Sequence, residues 1–347
     1  MRSIKVLNAR SEGEAALGIA LSPATAVAEL GVLAERAAEY AANAQAANTR
    51  LTYRKALAGL GGWCAAHGLP VTSDGQPELP MQAEVIAAFM TQRADEGVAV
   101  SSLRVLISAV ADAHAQARLV SPLGDPDLRL VWKGIRRTKG RPKRQAYPLT
   151  VPELRVMILR QRWGLKAVRD RCAMLLGFAG AARPEELVAV EAEHITPLDQ
   201  GRLKLTFPHS KGDPERQGQD VVIPRGSDRV TCAVSAFEDW LLVSGVTTGP
   251  IFGGVQYGAL TGQQLHAGDI SKILKNAARR AGLPKAKVGK ISAYSLRRGL
   301  ATTARREGRS VESIQRQLRH KNINTTLGYI ADEELARAEC AAEGIGL

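Results

Sequence analysis

The chain has 347 residues, of which 45% are hydrophobic, so it is long and apolar enough for two domains with buried cores and is not an intrinsically disordered protein. Its 47 Lys and Arg residues against 34 Asp and Glu residues give a net charge of +13, which favours a polyanionic partner. The four cysteines are scattered without C-x-x-C spacing, and no apolar run is long enough to cross a bilayer, so we expect a cytoplasmic protein without a disulfide framework.

Residues 23–132 are predicted to form a compact bundle of helices, because apolar residues recur there at helical spacing and strand signals are almost absent. The predicted helices cover residues 23–44, 48–67 and 81–95, with a fourth that begins after Ser102. Residues 1–22 are expected to be an N-terminal tail.

Residues 133–146 are predicted to be a flexible basic linker, because glycines and a proline interrupt regular structure there. The basic residues of this stretch are Lys133, Arg136, Arg137, Lys139, Arg141, Lys143 and Arg144, and no acidic residue lies among them. Such a run can be no more than a solvated segment. In a chain this basic, we expect it to follow a phosphate backbone, where each neutralised phosphate releases counterions.

Residues 147–330 are predicted to form a second, mostly helical domain with a small antiparallel sheet. Thr150 and Glu153 match a capping box, with a proline in the first turn, so a helix is expected to begin there and to run to about Arg162. Further helices are predicted at 170–179, from Pro184, and at 230–243, 269–281, 293–306, 311–318 and from 325 onward. Strands are predicted at 202–207 and 220–224, with Lys211 at the tip of the polar turn that joins them.

Six residues in this second domain stand in an order that suggests chemistry on a phosphodiester. They are Arg183, Lys211, Tyr294, Arg297, His320 and Tyr329. Lys211 follows Arg183 by 28 residues, and Tyr329 follows His320 by nine in the basic stretch LRHKNINTTLGYI. Arginines supply fixed, two-point donors to the non-bridging oxygens of a phosphate, on which negative charge grows in the transition state. A tyrosine hydroxyl can attack phosphorus and keep the bond energy in a covalent intermediate.

This order and spacing resemble the tyrosine recombinase (phage integrase) family, Cre-type members in particular, whose pattern is Arg, Lys, His-x-x-Arg, His or Trp, Tyr. Tyr294 departs from the pattern, since it stands where the family usually has its first histidine. The resemblance implies a two-domain, mainly α architecture with a helical core-binding domain at 23–132 and a catalytic domain at 147–330. It also implies a monomer in free solution that assembles as a homotetramer on specific double-stranded DNA sites, with a tail helix at 331–347 that docks on a neighbouring subunit.

The family's residue roles, carried over to this chain, describe strand cleavage and rejoining without metal or cofactor. Tyr329 is the implied nucleophile and forms a 3′-phosphotyrosyl link, while Arg183 and Arg297 hold the phosphate. Lys211 is the implied general acid for the departing 5′-oxygen. The supporting residues are His320 and Tyr294, each with a hydrogen bond to a non-bridging oxygen, and Glu186, which supports Arg183.

Other chemistries fit the sequence less well. Metal-dependent nucleases need clustered carboxylates, whereas the dense acidic groups here, at 185–186 and 332–334, are adjacent residues whose side chains point apart on a helix. No phosphate-cradling loop for ATP is present. Three interpretations stay open beside the recombinase: a telomere-resolvase-like enzyme, which resembles this chain in its tyrosine at the first-histidine position, a type IB topoisomerase, and a non-catalytic DNA-binding regulator of recombinase ancestry.

Overall fold

The protein is described by a computed structural model that covers residues 23–42, 45–142, 145–208 and 217–335. These residues form two compact units, one on each side of positions 143–144. Both units are mainly helical, and the second also contains two small antiparallel sheets, which confirms the predicted fold class. Within the described residues, no helix is long and apolar enough to cross a membrane.

The described part of the first unit contains five α-helices, and the four predicted from periodicity are confirmed within a few residues. They are α1 (Pro23–Ala42), α2 (Ala47–Ala66), α3 (Ala83–Asp95), α4 (Val100–Gln116) and α5 (Pro126–Lys139). The core of the unit lies between α2, α3, α4 and α5, where Leu60, Ile86, Met90 and Val110 are fully buried. The role of this unit as a core-binding domain stays a prediction.

The start of the basic stretch is helical, so the prediction of an irregular linker from Lys133 onward was wrong. Helix α5 begins at an Asp125 cap, whose carboxylate accepts the N–H of Leu128 at 2.8 Å, and it continues through Lys139. The glycine that was expected to break this region, Gly134, lies inside the helix. One glycine costs only about 1 kcal/mol in a helix, and the buried Leu128 and Ile135 on the same helix outweigh that cost.

The second unit contains nine helices and five strands among its described residues. The helices are α6 (Val151–Leu159), α7 (Leu165–Ala179), α8 (Pro184–Val188), α9 (Ala233–Ser244), α10 (Ala267–Arg280), α11 (Lys285–Lys290), α12 (Tyr294–Arg306), α13 (Val311–Leu318) and α14 (Ile323–Leu335). The predicted capping box is confirmed, because the Glu153 carboxylate accepts the backbone N–H of Thr150 at 3.0 Å. The short helix α11 was not predicted from the sequence.

The first sheet has the order β1 (Ile195–Leu198), β2 (Arg202–Phe207), β3 (Gln219–Ile223), and all its pairs are antiparallel. The β2–β3 pair confirms the two predicted strands, whereas β1 was not predicted. A second hairpin, β4 (Gly253–Gln256) with β5 (Ala259–Gln264), was not predicted either. Its residues are mostly glycine and polar, so the sequence offers no apolar alternation there.

The last helix extends beyond the predicted end of the catalytic domain at residue 330. Helix α14 continues to Leu335, and it is tied to α12 by ion pairs of Arg305 with Glu334 and of Arg306 with Glu333. Residues 331–335 therefore belong to the helix that carries Tyr329, and not to a separate tail. The rest of the predicted tail, 336–347, lies outside the described residues.

Helix α12, which carries two of the predicted site residues, lies close to the segment just before α6. A Cβ added to Gly299 would stand 1.9 Å from the carbonyl oxygen of Leu149, so only glycine allows this approach. The segment is fixed there by a hydrogen bond from the Leu149 N–H to the Ser295 carbonyl, at 3.2 Å. Arg298 adds a second tie, since its side chain donates to the Ala146 carbonyl at 3.0 Å. The first turn of α12 is thereby held in place against the domain core.

Candidate active site

Arg183 is placed by the tight turn that joins α7 to α8. Ala181 in this turn has a positive φ of 47°, and Arg183 caps the N-terminus of α8, with Pro184 in the first helical turn. The Arg183 guanidinium pairs with Glu186, whose carboxylate also accepts the backbone N–H of Arg183 at 2.8 Å. Glu186 thus fixes both the main chain and the side chain of Arg183, as the family resemblance implies.

Glu186 is ionised in spite of its burial. Desolvation raises the pKa of this carboxyl, but the charge of Arg319, the Arg183 backbone N–H and the Arg183 guanidinium together lower it below its usual value. The side chain is only 3% exposed. A buried carboxylate with these partners is a rigid anchor for the arginines around it.

Arg297 lies on the first turn of α12 and is one of the largest fully buried side chains among the described residues. Its guanidinium donates to the Ala181 carbonyl at 2.5 Å and to the Leu318 carbonyl. Burial, followed by the charges of Arg183 and Arg319, lowers the pKa of Arg297 to about 10. The guanidinium still carries its positive charge at neutral pH, and its two hydrogen bonds hold it in one orientation.

His320 and Tyr329 face each other across the turn between α13 and α14. Their ring centroids are 5.2 Å apart, and the rings are nearly perpendicular at 87°. The His320 Nδ1 atom shares a hydrogen bond with the hydroxyl of the buried Thr326 at 2.9 Å, which sets the imidazole orientation. Tyr329 packs on a small apolar cluster that includes Ile330 and Leu318, so α14 holds the phenol in place.

His320 is neutral at physiological pH in the free protein. Desolvation, and then the charges of Arg297, Arg183 and Arg319, lower the pKa of this imidazole to about 3. A neutral imidazole has one N–H donor and one acceptor nitrogen, so it can hydrogen-bond a phosphate oxygen or receive a proton.

We expect NMR of the DNA-free protein to show a neutral His320 ring down to pH 5, where an ordinary histidine with a pKa near 6.5 is mostly charged. Because the folded-state pKa is depressed, the part of the stability that His320 contributes is present above pH 6.5 and is lost as the pH falls towards 3. A His320 ring that gains a proton between pH 7 and pH 5 would contradict the assignment.

Tyr294 is the first residue of α12 and is 41% exposed. Burial, followed by the charges of Glu185 and Tyr329, raises the pKa of its phenol, while Arg183 and Arg297 act in the opposite direction. These interactions place Tyr294 among the other predicted site residues. The raised pKa keeps its hydroxyl protonated and therefore a hydrogen-bond donor at neutral pH.

The structure thus brings together Arg183, Glu186, Tyr294, Arg297, His320 and Tyr329. Lys211 lies in residues 209–216, outside the described residues, between β2 and β3. Of the predicted DNA-contacting residues, Lys133, Arg136, Arg137 and Lys139 are on α5 and Arg141 follows it, while Lys143 and Arg144 are outside the described residues. Lys139 pairs with Asp95 at 2.9 Å, and the Arg136 guanidinium lies 5.6 Å from the centre of the Trp132 ring.

Two residues of the site were not predicted from the sequence. Arg319 is buried directly beneath it and contacts Glu186, and Thr326 orients His320. Arg319 precedes His320 in the chain, but a basic residue in a basic stretch gives no sign that it is buried. Burial of a charge depends on partners distant in sequence, and Glu186 is 133 residues away.

Chemically, the site concentrates positive charge beside a phenol. The guanidinium groups of Arg183 and Arg319 pair with the carboxylate of Glu186, and the guanidinium of Arg297 is close enough to interact electrostatically with all three. The excess of positive charge and the fixed donors suit a tetrahedral anion, and the phenol of Tyr329 lies at the edge of this group.

Residues 154–335, more than half of the chain, match the sequence model described as the phage integrase family. The chain belongs to the phage integrase family. The family assignment, the activity of a site-specific DNA recombinase and the enzyme class of a DNA strand transferase, predicted from the motif, are confirmed. The finer likeness to Cre-type members stays a prediction.

Relatives of this integrase family member agree with the assignment. The chain is 31% identical over 291 residues to the integrase/recombinase xerD homolog of Selenomonas ruminantium, which covers 82% of each protein. It is 26% identical over 290 residues to the tyrosine recombinase XerD of Pseudomonas putida, covering 81% of this chain and 86% of that protein.

Among solved structures, the integrase fold is shared with a lambda integrase tetramer bound to a Holliday junction. The two chains superpose with a TM-score of 0.56 at 18% identity, over 89% of this chain and 80% of lambda integrase. At this identity the likeness shows the fold alone.

Proposed function

We propose that this recombinase cleaves double-stranded DNA at specific sites through attack of Tyr329 on the scissile phosphate, in the cytoplasm and on the nucleoid. The observation that carries the proposal is the position of Tyr329, edge-on to the His320 ring and in electrostatic contact with Arg297 and Tyr294. Attack forms the phosphorus–oxygen bond to Tyr329 while the phenol proton passes to solvent, and it breaks the bond to the 5′-oxygen, which leaves a 3′-phosphotyrosyl link. Reversal by another 5′-hydroxyl rejoins the strand without an added energy source.

The other residues act on the phosphate and the leaving group. Arg183 and Arg297 bind the non-bridging oxygens, where their charge and fixed orientation stabilise the transition state. His320 donates a further hydrogen bond, and Lys211 protonates the departing 5′-oxygen. No metal or cofactor takes part in this scheme, since the arginines supply the charge that a metal ion provides in other phosphoryl-transfer enzymes.

Nicked suicide duplexes made from the DNA that flanks the gene test the proposal. In such a substrate the cleaved strand loses a short fragment, so rejoining fails and the covalent complex accumulates. We expect an SDS-resistant, protease-sensitive adduct attached through Tyr329. Sequence-specific binding with no adduct would instead support a non-catalytic regulator. Closed hairpin ends among the products would support a telomere-resolvase-like reaction, which the tyrosine at position 294 favours.

The basic residues of α5 and the stretch after it are proposed to bind the DNA backbone. Neutral substitution of Arg136, Arg137, Lys139, Arg141, Lys143 and Arg144 should weaken binding equally on specific and unrelated DNA. The log–log salt dependence should flatten by up to roughly 0.9 for each phosphate that is no longer neutralised. Lys139 alone should contribute less, because it already pairs with Asp95. If the salt dependence of DNA binding kept the slope of the original protein, these residues would be ordinary solvated charges that do not bind the DNA backbone.

The C-terminal residues are proposed to dock on a neighbouring subunit in a homotetramer that assembles on DNA from monomers. Because α14 continues to Leu335, the deletion that tests this removes residues 336–347 and leaves the ion pairs of Glu333 and Glu334 in place. We expect gel-shift assays to lose the four-subunit complex while single-site binding and cleavage continue. Full recombination by the truncated protein would contradict docking in trans.

A further inference from the structure

Arg319 occupies a backbone conformation that usually belongs to glycine. It ends α13 in the left-handed region, with φ of 54° and ψ of 45°, where a side chain costs roughly 1–2 kcal/mol. Helices commonly end with glycine at such a position because glycine has no Cβ. The side chain of Arg319 is also 4% exposed, so its charge is desolvated. Two unfavourable features at one residue indicate that its guanidinium has a specific task.

The guanidinium of Arg319 connects the end of α13 to the α7–α8 turn. Its Nη2 atom donates to Oε2 of Glu186 at 2.7 Å, and its Nη1 atom donates to the Gly180 carbonyl at 2.9 Å. The group also lies over the Phe207 ring, 4.1 Å from its centre, which fixes the plane of the guanidinium. The same Glu186 carboxylate accepts the Arg183 side chain through its other oxygen. One carboxylate therefore joins Arg319 to Arg183.

Arg319 is linked to Arg297 as well. Both donate to the Ala181 carbonyl, Arg297 at 2.5 Å and Arg319 at 3.3 Å. Arg297 also donates to the carbonyl of Leu318, the residue next to Arg319. The two arginines therefore bind the same carbonyl of Ala181, and Arg297 also binds the backbone at the end of α13, next to Arg319. A shift of one guanidinium would move the backbone that holds the other.

We propose that Arg319 is a positioning residue for strand cleavage, which holds Glu186 and the Ala181 carbonyl so that Arg183 and Arg297 meet the scissile phosphate together. This rests on the proposed phosphate-binding roles of Arg183 and Arg297. Arg319 itself does not touch DNA in this scheme, because its side chain is buried and its Nη atoms donate to Glu186 and to carbonyls of the α7–α8 turn. Its positive charge also balances Glu186, which leaves Arg183 and Arg297 with enough net charge to attract an anion.

Substitution of Arg319 by glycine separates this role from a purely structural one. Glycine adopts the left-handed conformation without strain, so the turn is retained while the guanidinium is removed. We expect single-turnover cleavage of a suicide duplex at saturating DNA to fall by about 10–100-fold, the usual effect of losing a residue that orients a catalytic group. The dissociation constant for DNA should change little, because Arg319 does not touch the DNA. Arg319→Lys, which keeps the charge, should recover part of the rate.

A double-mutant cycle with Glu186→Gln identifies the path through which Arg319 acts. If Arg319 works through Glu186, then Arg319→Gly in the Glu186→Gln background should cost far less than it costs alone. The matched control is Arg316→Met, which removes a charge from the exposed face of α13 and should leave the saturated cleavage rate unchanged.

Three outcomes would overturn the proposal. They are full cleavage by Arg319→Gly, additive losses in the cycle, and failure of Arg319→Gly to fold, since the last would show that the guanidinium serves the fold instead of Arg183. If instead the proposed catalytic function itself were wrong, the original protein would form no adduct at Tyr329. That result differs from all three outcomes above, which concern the variants.

Discussion

Tyr329→Phe should form no covalent adduct with a suicide duplex, while its affinity for DNA stays close to that of the original protein. The substitution removes one oxygen atom and no charge, so the arginines that attract the phosphate are unaffected. The phenyl ring can keep both the edge-on contact with His320 and the packing against the small cluster that contains Ile330. Loss of chemistry without loss of binding is the expected signature of a nucleophile.

The measurement is denaturing electrophoresis of a labelled strand after incubation with each protein, beside a gel-shift titration of the same DNA. Tyr257→Phe is the matched control, because it removes the same atom from a side chain that is 98% exposed on the turn between β4 and β5. That variant should give the normal adduct yield. A normal yield from Tyr329→Phe would mean that another residue attacks, and peptide mapping of the adduct would identify it.

The features that the sequence predicted correctly are those with local causes. Helix α6 follows from the capping box of Thr150 and Glu153, and the β2–β3 pair follows from alternating apolar residues. The motif also selected Arg183, Arg297, His320 and Tyr329 from their order along the chain, and the structure brings these side chains together. Their roles in one reaction stay a prediction.

The features that the sequence did not reveal depend on contacts between distant residues. The basic stretch after Trp132 was expected to be irregular because it contains glycines, yet burial of Ile135 keeps it helical. Arg319 resembles any other basic residue in the chain until its contact with Glu186 is seen. The hairpin β4–β5 is mostly glycine and polar residues, and it is stabilised by its backbone pairing, which leaves no pattern of apolar side chains.

Tyr294 stands where the family usually has its first histidine, and removal of its hydroxyl oxygen tests whether it takes over the hydrogen bond of that histidine. A phenol donates one hydrogen bond to a non-bridging oxygen, as an imidazole does, but it does not carry a positive charge. Because burial and the nearby Glu185 raise the pKa of this phenol, the hydroxyl is present as a donor across the neutral range. We therefore predict that Tyr294 acts in cleavage as a hydrogen-bond donor and does not shuttle a proton near neutral pH.

Tyr294→Phe should slow strand cleavage by about 10²–10³-fold, the usual effect of losing one donor to a developing oxyanion. Tyr294→His should keep measurable activity, because imidazole restores a donor at the same place in the first turn of α12. The side chain is 41% exposed, so neither change should alter thermal stability much, and a slow variant can be attributed to lost chemistry. Single-turnover cleavage rates at saturating DNA measure the effect. Full activity of Tyr294→Phe would show that Tyr294 is a packing residue and that Arg183, Arg297 and His320 stabilise the phosphate without it.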